Sequence, residues 1–126
     1  VIEDIGRDPR FPSARQEAHL VRGDGMNAAG ITIGGYVRVV CYEDAHISLR
    51  PGMIVLVERR FDGEGLFERT LKEVEILSDG GYRLVPRSHN PKHETFVIPA
   101  GQDPADENAK IRVIGFVTAF VQPIGF

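Results

Sequence analysis

The chain has 126 residues, 42% of them hydrophobic and 26% charged, which excludes disordered and fibrous classes and is enough for one domain with its own core. Fifteen basic against eighteen acidic residues leave a net charge of −3, so this segment lacks the basic excess needed to grip nucleic acid by its phosphates. The lone Cys41 rules out an intramolecular disulfide and a thiolate metal cluster.

Residues 1–17 are polar, carry two prolines and hold no sustained period, so they read as a linker or a loosely packed N-terminal arm. The chain begins at Val1 rather than methionine, which suggests a fragment or processed product. Ala18–Arg22 reads as a short strand leading into a glycine-flanked loop, Gly23-Asp24-Gly25-Met26, with further turns at Gly30 and Gly34-Gly35. Such a loop lets backbone approach a ligand closely, because glycine has no Cβ. It lacks the ending of a phosphate loop and opens no helix. Gly35–Tyr42 alternates and is rich in β-branched residues, which predicts a strand, with Cys41 read as a small buried hydrophobe.

Pro51-Gly52 marks a turn, Met53–Val57 a buried strand, and Arg59–Gly65 a charged hairpin connection. Leu66–Leu77 reads as a further strand with Leu66, Thr70, Lys72, Val74 and Ile76 on one side. The hairpin signal Asp79-Gly80-Gly81 then turns the chain back into Tyr82–Pro86. Pro86–Glu94 is a polar loop, Thr95–Ile98 a short strand and Ala100–Asn108 an acidic loop. Ile111–Val121, the longest apolar run, is too β-branched and aromatic to prefer helix. With no capped helical period and about seven strands, the fold class is all-β, built of coiled sheets.

The histidines at 89 and 93 stand four apart, a spacing that shares a face only in a helix, which Pro91 opposes; a solvated loop and no metal site is the expectation. Asp103, Asp106 and Glu107 read as charges that keep a loop wet. Asp24 is a better candidate for a specific structural role, such as accepting loop N–H groups. No apolar stretch is long enough to span a membrane and no signal peptide opens the chain, so a cytoplasmic setting and no membrane partner are expected.

Six segments in chain order carry a resemblance. They are G-D-G-M-N-A-A-G-I, G-G-Y-V-R-V-V, P-G-M-I-V-L-V, T-L-K-E-V-E-I, Y-R-L-V-P-R-S-H-N-P and I-R-V-I-G-F-V. Together, over about Ala18 to Ile124, the chain resembles the C-terminal domain of LexA and lambda-type phage repressors, the self-cleaving Ser–Lys peptidases. That resemblance implies a LexA/signal-peptidase-like coiled β-ribbon domain. In the family, the loop's serine is the nucleophile and a lysine of a later strand is the general base, its amine made neutral by burial. The matching positions here are Gly25 for the nucleophile and Lys72 for the base, with Gly23, Asp24 and Met26 forming the loop. Arg69 is the weaker candidate for the base position.

Glycine has no side-chain oxygen, so self-cleavage by this route is not expected. Ser13, Ser48, Ser78 and Ser88 lie in other elements. The pairs Ala29-Gly30 and Ala100-Gly101 stand away from where the family's scissile dipeptide lies. The resemblance further implies a homodimerising, signal-sensing domain of a transcriptional repressor, reading DNA through an N-terminal helix-turn-helix domain absent from this chain. An activated recombinase filament is a further candidate partner; no cofactor is expected. The apolar run is the expected dimer contact, by edge pairing across a two-fold axis, through Ile111, Val113, Ile114, Phe116, Val117 and Phe120. The alternatives are a self-cleaving peptidase whose serine was replaced, or the related subunit of a mutagenesis polymerase.

Overall fold

The structure, a computed structural model, describes residues 6–61 and 65–122. Its strands are β1 (Gln16–Leu20), β2 (Tyr36–Cys41), β3 (Ile54–Arg60), β4 (Phe67–Ile76), β5 (Tyr82–Val85), β6 (Phe96–Ile98) and β7 (Ile111–Val121). A single helical turn, α1 (Tyr42–Ala45), follows β2, and a 3-10 turn spans Asn27–Ala29. The seven strands form one open sheet in the order β1-β2-β7-β3-β4-β5-β6, with every pairing antiparallel. The all-β expectation holds. The strand ends lie within three residues of the sequence-based bounds, β1 starting at Gln16 rather than Ala18 and β7 matching at both ends. Expected residues 62–64 of the hairpin connection and 123–124 of the resemblance lie outside the described residues.

Apolar side chains occupy both faces because alternate residues of a strand point to opposite sides. Val55 and Val57 of β3 join Val74, Leu84, Ile98, Val113 and Phe116 on one face. Leu56 between them joins Val37, Val39 and Met26 on the other. On β7, the residues Ile114, Val117 and Phe120 all pack against this second cluster although they are three apart, a spacing that plain alternation forbids. The register explains it. The pairing to β3 skips Ile114 (Leu56 opposes Gly115, Val57 opposes Val113), and the pairing to β2 skips Thr118. Each bulge inserts one residue and resets the alternation.

Two expectations change. β7 lies at the middle of the sheet, hydrogen-bonded to β2 on one side and β3 on the other, so its edge is already satisfied within the chain. Edge pairing of β7 across a two-fold axis is therefore excluded, and Val113 and Phe116 are buried in the core. Its place at the centre of the sheet accounts for the apolar run without a second copy along its edge. The N-terminal arm is also packed where described. The Phe11 ring stands edge-on to Phe116 at 5.2 Å, Ala14 belongs to the core, and buried Asp8 accepts bonds from the Arg10 guanidinium. Those bonds hold the Asp8 carboxyl well below the usual carboxylate range. Cys41 is half-buried, and the Arg15 guanidinium donates to its Sγ at 3.2 Å.

No helix among the described residues is long and apolar enough to cross a membrane.

Candidate functional site

The glycine loop is anchored from both ends. Val21 donates to Gly35 O at 2.8 Å and Gly34 donates back to Val21 O at 3.0 Å, which closes the loop at its neck. Met26 is buried in the second core cluster and serves as the loop's apolar anchor. The 3-10 turn that follows ends on Gly30, whose φ of 87° is the left-handed conformation that favours glycine.

The tip of the loop is stitched to the segment between β5 and β6. Arg87 N donates to Gly25 O at 2.9 Å, and Ala28 N donates to Arg87 O at 2.8 Å. His89 N donates to the Asn27 side-chain oxygen at 3.0 Å, and the Asn90 amide donates to Asp24 Oδ2 at 3.2 Å. The Arg87 guanidinium in turn bridges Glu73 and Glu75 of β4, tying this segment to the sheet. Loop, segment and strand form the walls of a cleft of about 240 Å³ lined by Val21, Gly25, Met26, Leu56, Lys72 and His93 among others. Gly25 and Lys72, distant in sequence, both stand in that wall.

Lys72 is 2% exposed, on the same side of β4 as Val74. Its Nζ donates to Glu94 O at 2.7 Å and lies 4.8 Å from the centre of the Phe96 ring. Burial pushes the amine below the ordinary lysine range; Glu68 and Glu94 pull against that shift and Arg59 adds to it. None of the described carboxylates lies within salt-bridge distance of it. Thr70, one position along the same side, lines the cleft too, and its buried hydroxyl has no partner among the described residues. Arg69, the other candidate for the base, is committed elsewhere: it pairs with buried Glu58 at 3.2 Å, alongside Arg60 and Arg112. Burial pushes the Glu58 carboxyl up, and the three guanidiniums outweigh it and bring it below its usual value.

A β-carbon placed on Gly25 meets nothing closer than 3.8 Å. Its nearest neighbours are His93 Nδ1 at 3.8 Å, His93 Cε1 at 3.9 Å and the Leu71 carbonyl oxygen at 3.9 Å. The backbone at Gly25 is not in the left-handed region, so neither space nor conformation demands glycine there. The expectation for the histidines divides at this point. His89 is exposed, as expected of a solvated loop, whereas His93 is only 18% exposed at its side chain and bonded through Nε2 to Asp24 Oδ1. That bond and the one from Asn90 lower the Asp24 carboxyl below its usual range. Asp24 thus accepts chiefly from two side chains of the β5–β6 segment, with a smaller contribution from its own backbone N–H in the loop. No cluster of three metal-ligating side chains occurs among the described residues.

Asn27 and Asn90 belong to the site without having been assigned a role by sequence, and His93 was weighed only as a metal ligand and read as solvated. The only signal was the presence of Asp, Asn and His in two polar loops, and their pairing across more than sixty residues leaves no spacing to read. No protein-family model matches the chain, and no curated protein matches it in sequence.

Proposed function

We propose that this chain is the C-terminal dimerisation and sensing domain of a LexA- or phage-repressor-like transcriptional regulator, unable to cleave itself with Gly25 in place. The fold proposed for it is the LexA/signal-peptidase-like coiled β-ribbon. One observation carries the reading: the loop that resembles a nucleophile loop and the strand bearing Lys72 line one cleft, with the amine buried and its proton affinity lowered. A buried amine is costly and needs a reason. The Ser–Lys resemblance supplies one, since a neutral amine can take a hydroxyl proton.

In this proposal the domain joins two N-terminal helix-turn-helix readers so that paired half-sites are bound together. With β7 central, the two-fold contact falls to a sheet face or to the outer strands β1 and β6, whose outer edges are unpaired in the sheet order. Derepression works by partner binding, an activated recombinase filament being one candidate, or by a conformational change. Sedimentation equilibrium tests the dimer. The chain sediments as a dimer at micromolar concentration, and a strict monomer at several hundred micromolar contradicts the proposal.

A specific observation supports a second reading, a self-cleaving peptidase domain whose serine was replaced. The open space and ordinary backbone at Gly25 are those of a position built to carry a side chain.

A further inference from the structure

We infer that the cleft seats an extended acidic segment of a partner protein, paired along the free edge of β4 and selected by Arg22 and Arg69. The inference deepens the proposed function, in which derepression works by partner binding, and rests on that reading for what binding achieves. With glycine at position 25 such a segment is held and not cut.

The strand register supplies the edge. β4 pairs with β3 over residues 67–73 but with β5 only over residues 73–76, so no strand of the described residues lies beyond its first half. Leu66 O accepts from Phe61 N, and Val74 N donates to Met53 O, which turns the even-numbered peptide groups of β4 toward β3. Alternate residues of an antiparallel pair point opposite ways, so the N–H and C=O groups of Arg69 and Leu71 face outward. The Leu71 carbonyl oxygen accordingly stands 3.9 Å from a β-carbon at position 25. Both residues line the cleft. A segment laid there as an added strand satisfies these groups.

Charge supplies the selection. His19, Arg22, Arg69, Lys72 and His93 line the cleft, and no carboxylate does among the described residues. That is the reverse of the chain's net charge of −3. The carboxylates nearest this wall are held by its members: Glu17 by His19, Asp24 by His93 and Glu58 by Arg69. The Lys72 amine is turned to Glu94 O and takes no part in the selection. Arg69 shares Glu58 with Arg60 and Arg112, three guanidiniums to one carboxylate, so that cluster keeps a positive excess. Arg22 is exposed and has no ion pair among the described residues. Leu20, Val37 and Leu56 give the same cleft an apolar lining. A segment alternating apolar and acidic residues fits that mixture.

The test is fluorescence anisotropy of a labelled hexapeptide, Val-Glu-Val-Glu-Val-Glu amide, titrated with the full chain at low salt. The expected result is binding at least about tenfold tighter than that of the isosteric glutamine peptide, weakening as salt is raised. Arg22→Gln and Arg69→Gln each weaken the glutamate peptide about fivefold and together about 20-fold, and leave the glutamine peptide unchanged. Glu58 keeps Arg60 and Arg112 in the second variant. On the unaltered chain, the peptide slows amide hydrogen exchange at Arg69 and Leu71 at least about tenfold, a readout that holds even where a variant fails to fold.

Equal affinity for the glutamine peptide overturns the inference, as does unslowed exchange at Arg69 and Leu71. Displacement of the peptide by single-stranded oligothymidylate of equal charge also overturns it, since the cleft would then be a seat for any anion. A chain that sediments as a dimer and does not bind the glutamate peptide overturns the inference alone. A strict monomer that binds it as described upholds the inference and removes the repressor reading.

Discussion

Gly115 and Gly25 are two glycines beside strands, and they are glycine for different reasons. At Gly115, between the β2 and β3 neighbours of β7, a β-carbon would lie 2.4 Å from Val39 Cγ1 and 2.6 Å from Val40 O. The second of these is backbone and cannot swing aside, so the sheet closes there only without a side chain. At Gly25 the nearest atom is 3.8 Å away and the backbone is ordinary. The absence of a side chain at Gly115 is a packing requirement, whereas at Gly25 neither packing nor backbone conformation calls for it.

Gly115→Ala breaks the comparison at its rigid end. We expect a loss of about 3 kcal/mol in folding stability from overpacking against backbone, measured by urea denaturation; a loss under about 0.5 kcal/mol would show that β2 and β7 can part. Lys72→Met probes the cleft. Because burial lowers the amine's folded-state proton affinity, the unfolded chain binds more protons between the folded pKa and the ordinary 10.5. Stability due to Lys72 therefore rises with pH through that window. Replacing the amine stabilises the chain at pH 7 by roughly 1 kcal/mol, a gain that shrinks as pH approaches 10, read from denaturation midpoints at both pH values. Gly25→Ala is the smallest change: stability stays level or rises by about 0.5 kcal/mol, since alanine fits and narrows the unfolded ensemble. A melting temperature several degrees lower would mean the loop needs glycine after all.

Much of the sheet was legible because β2, β3 and β5 alternate or run apolar between clear turns. The packing of β7 was not, although an isolated glycine inside a strand pattern is itself a signal of a bulge or close approach. Composition reports that Ile111–Val121 is buried but not by what, and both an interface and a sheet centre satisfy it. The bulges at Ile114 and Thr118 hide the period that would have separated those cases. Asp8 and Phe11 looked like linker residues because their burial depends on side-chain partners in Arg10 and Phe116 rather than on any repeating pattern. At the site, Gly25 and Lys72 came from a resemblance and share a wall. The contact of His93 with Asp24 came from tertiary docking of two loops, and the same docking overrode the expectation of a solvated histidine.

The account stands or falls on whether position 25 is an emptied nucleophile position in an otherwise complete cleft. The direct measurement is the intact mass, after incubation at alkaline pH, of the proposed full-length repressor with its upstream scissile segment, carrying Gly25 and Gly25→Ser side by side. The account predicts an uncut chain with glycine and two complementary fragments with serine. Fragments from the glycine form, or a serine form that folds and remains uncut, would contradict it.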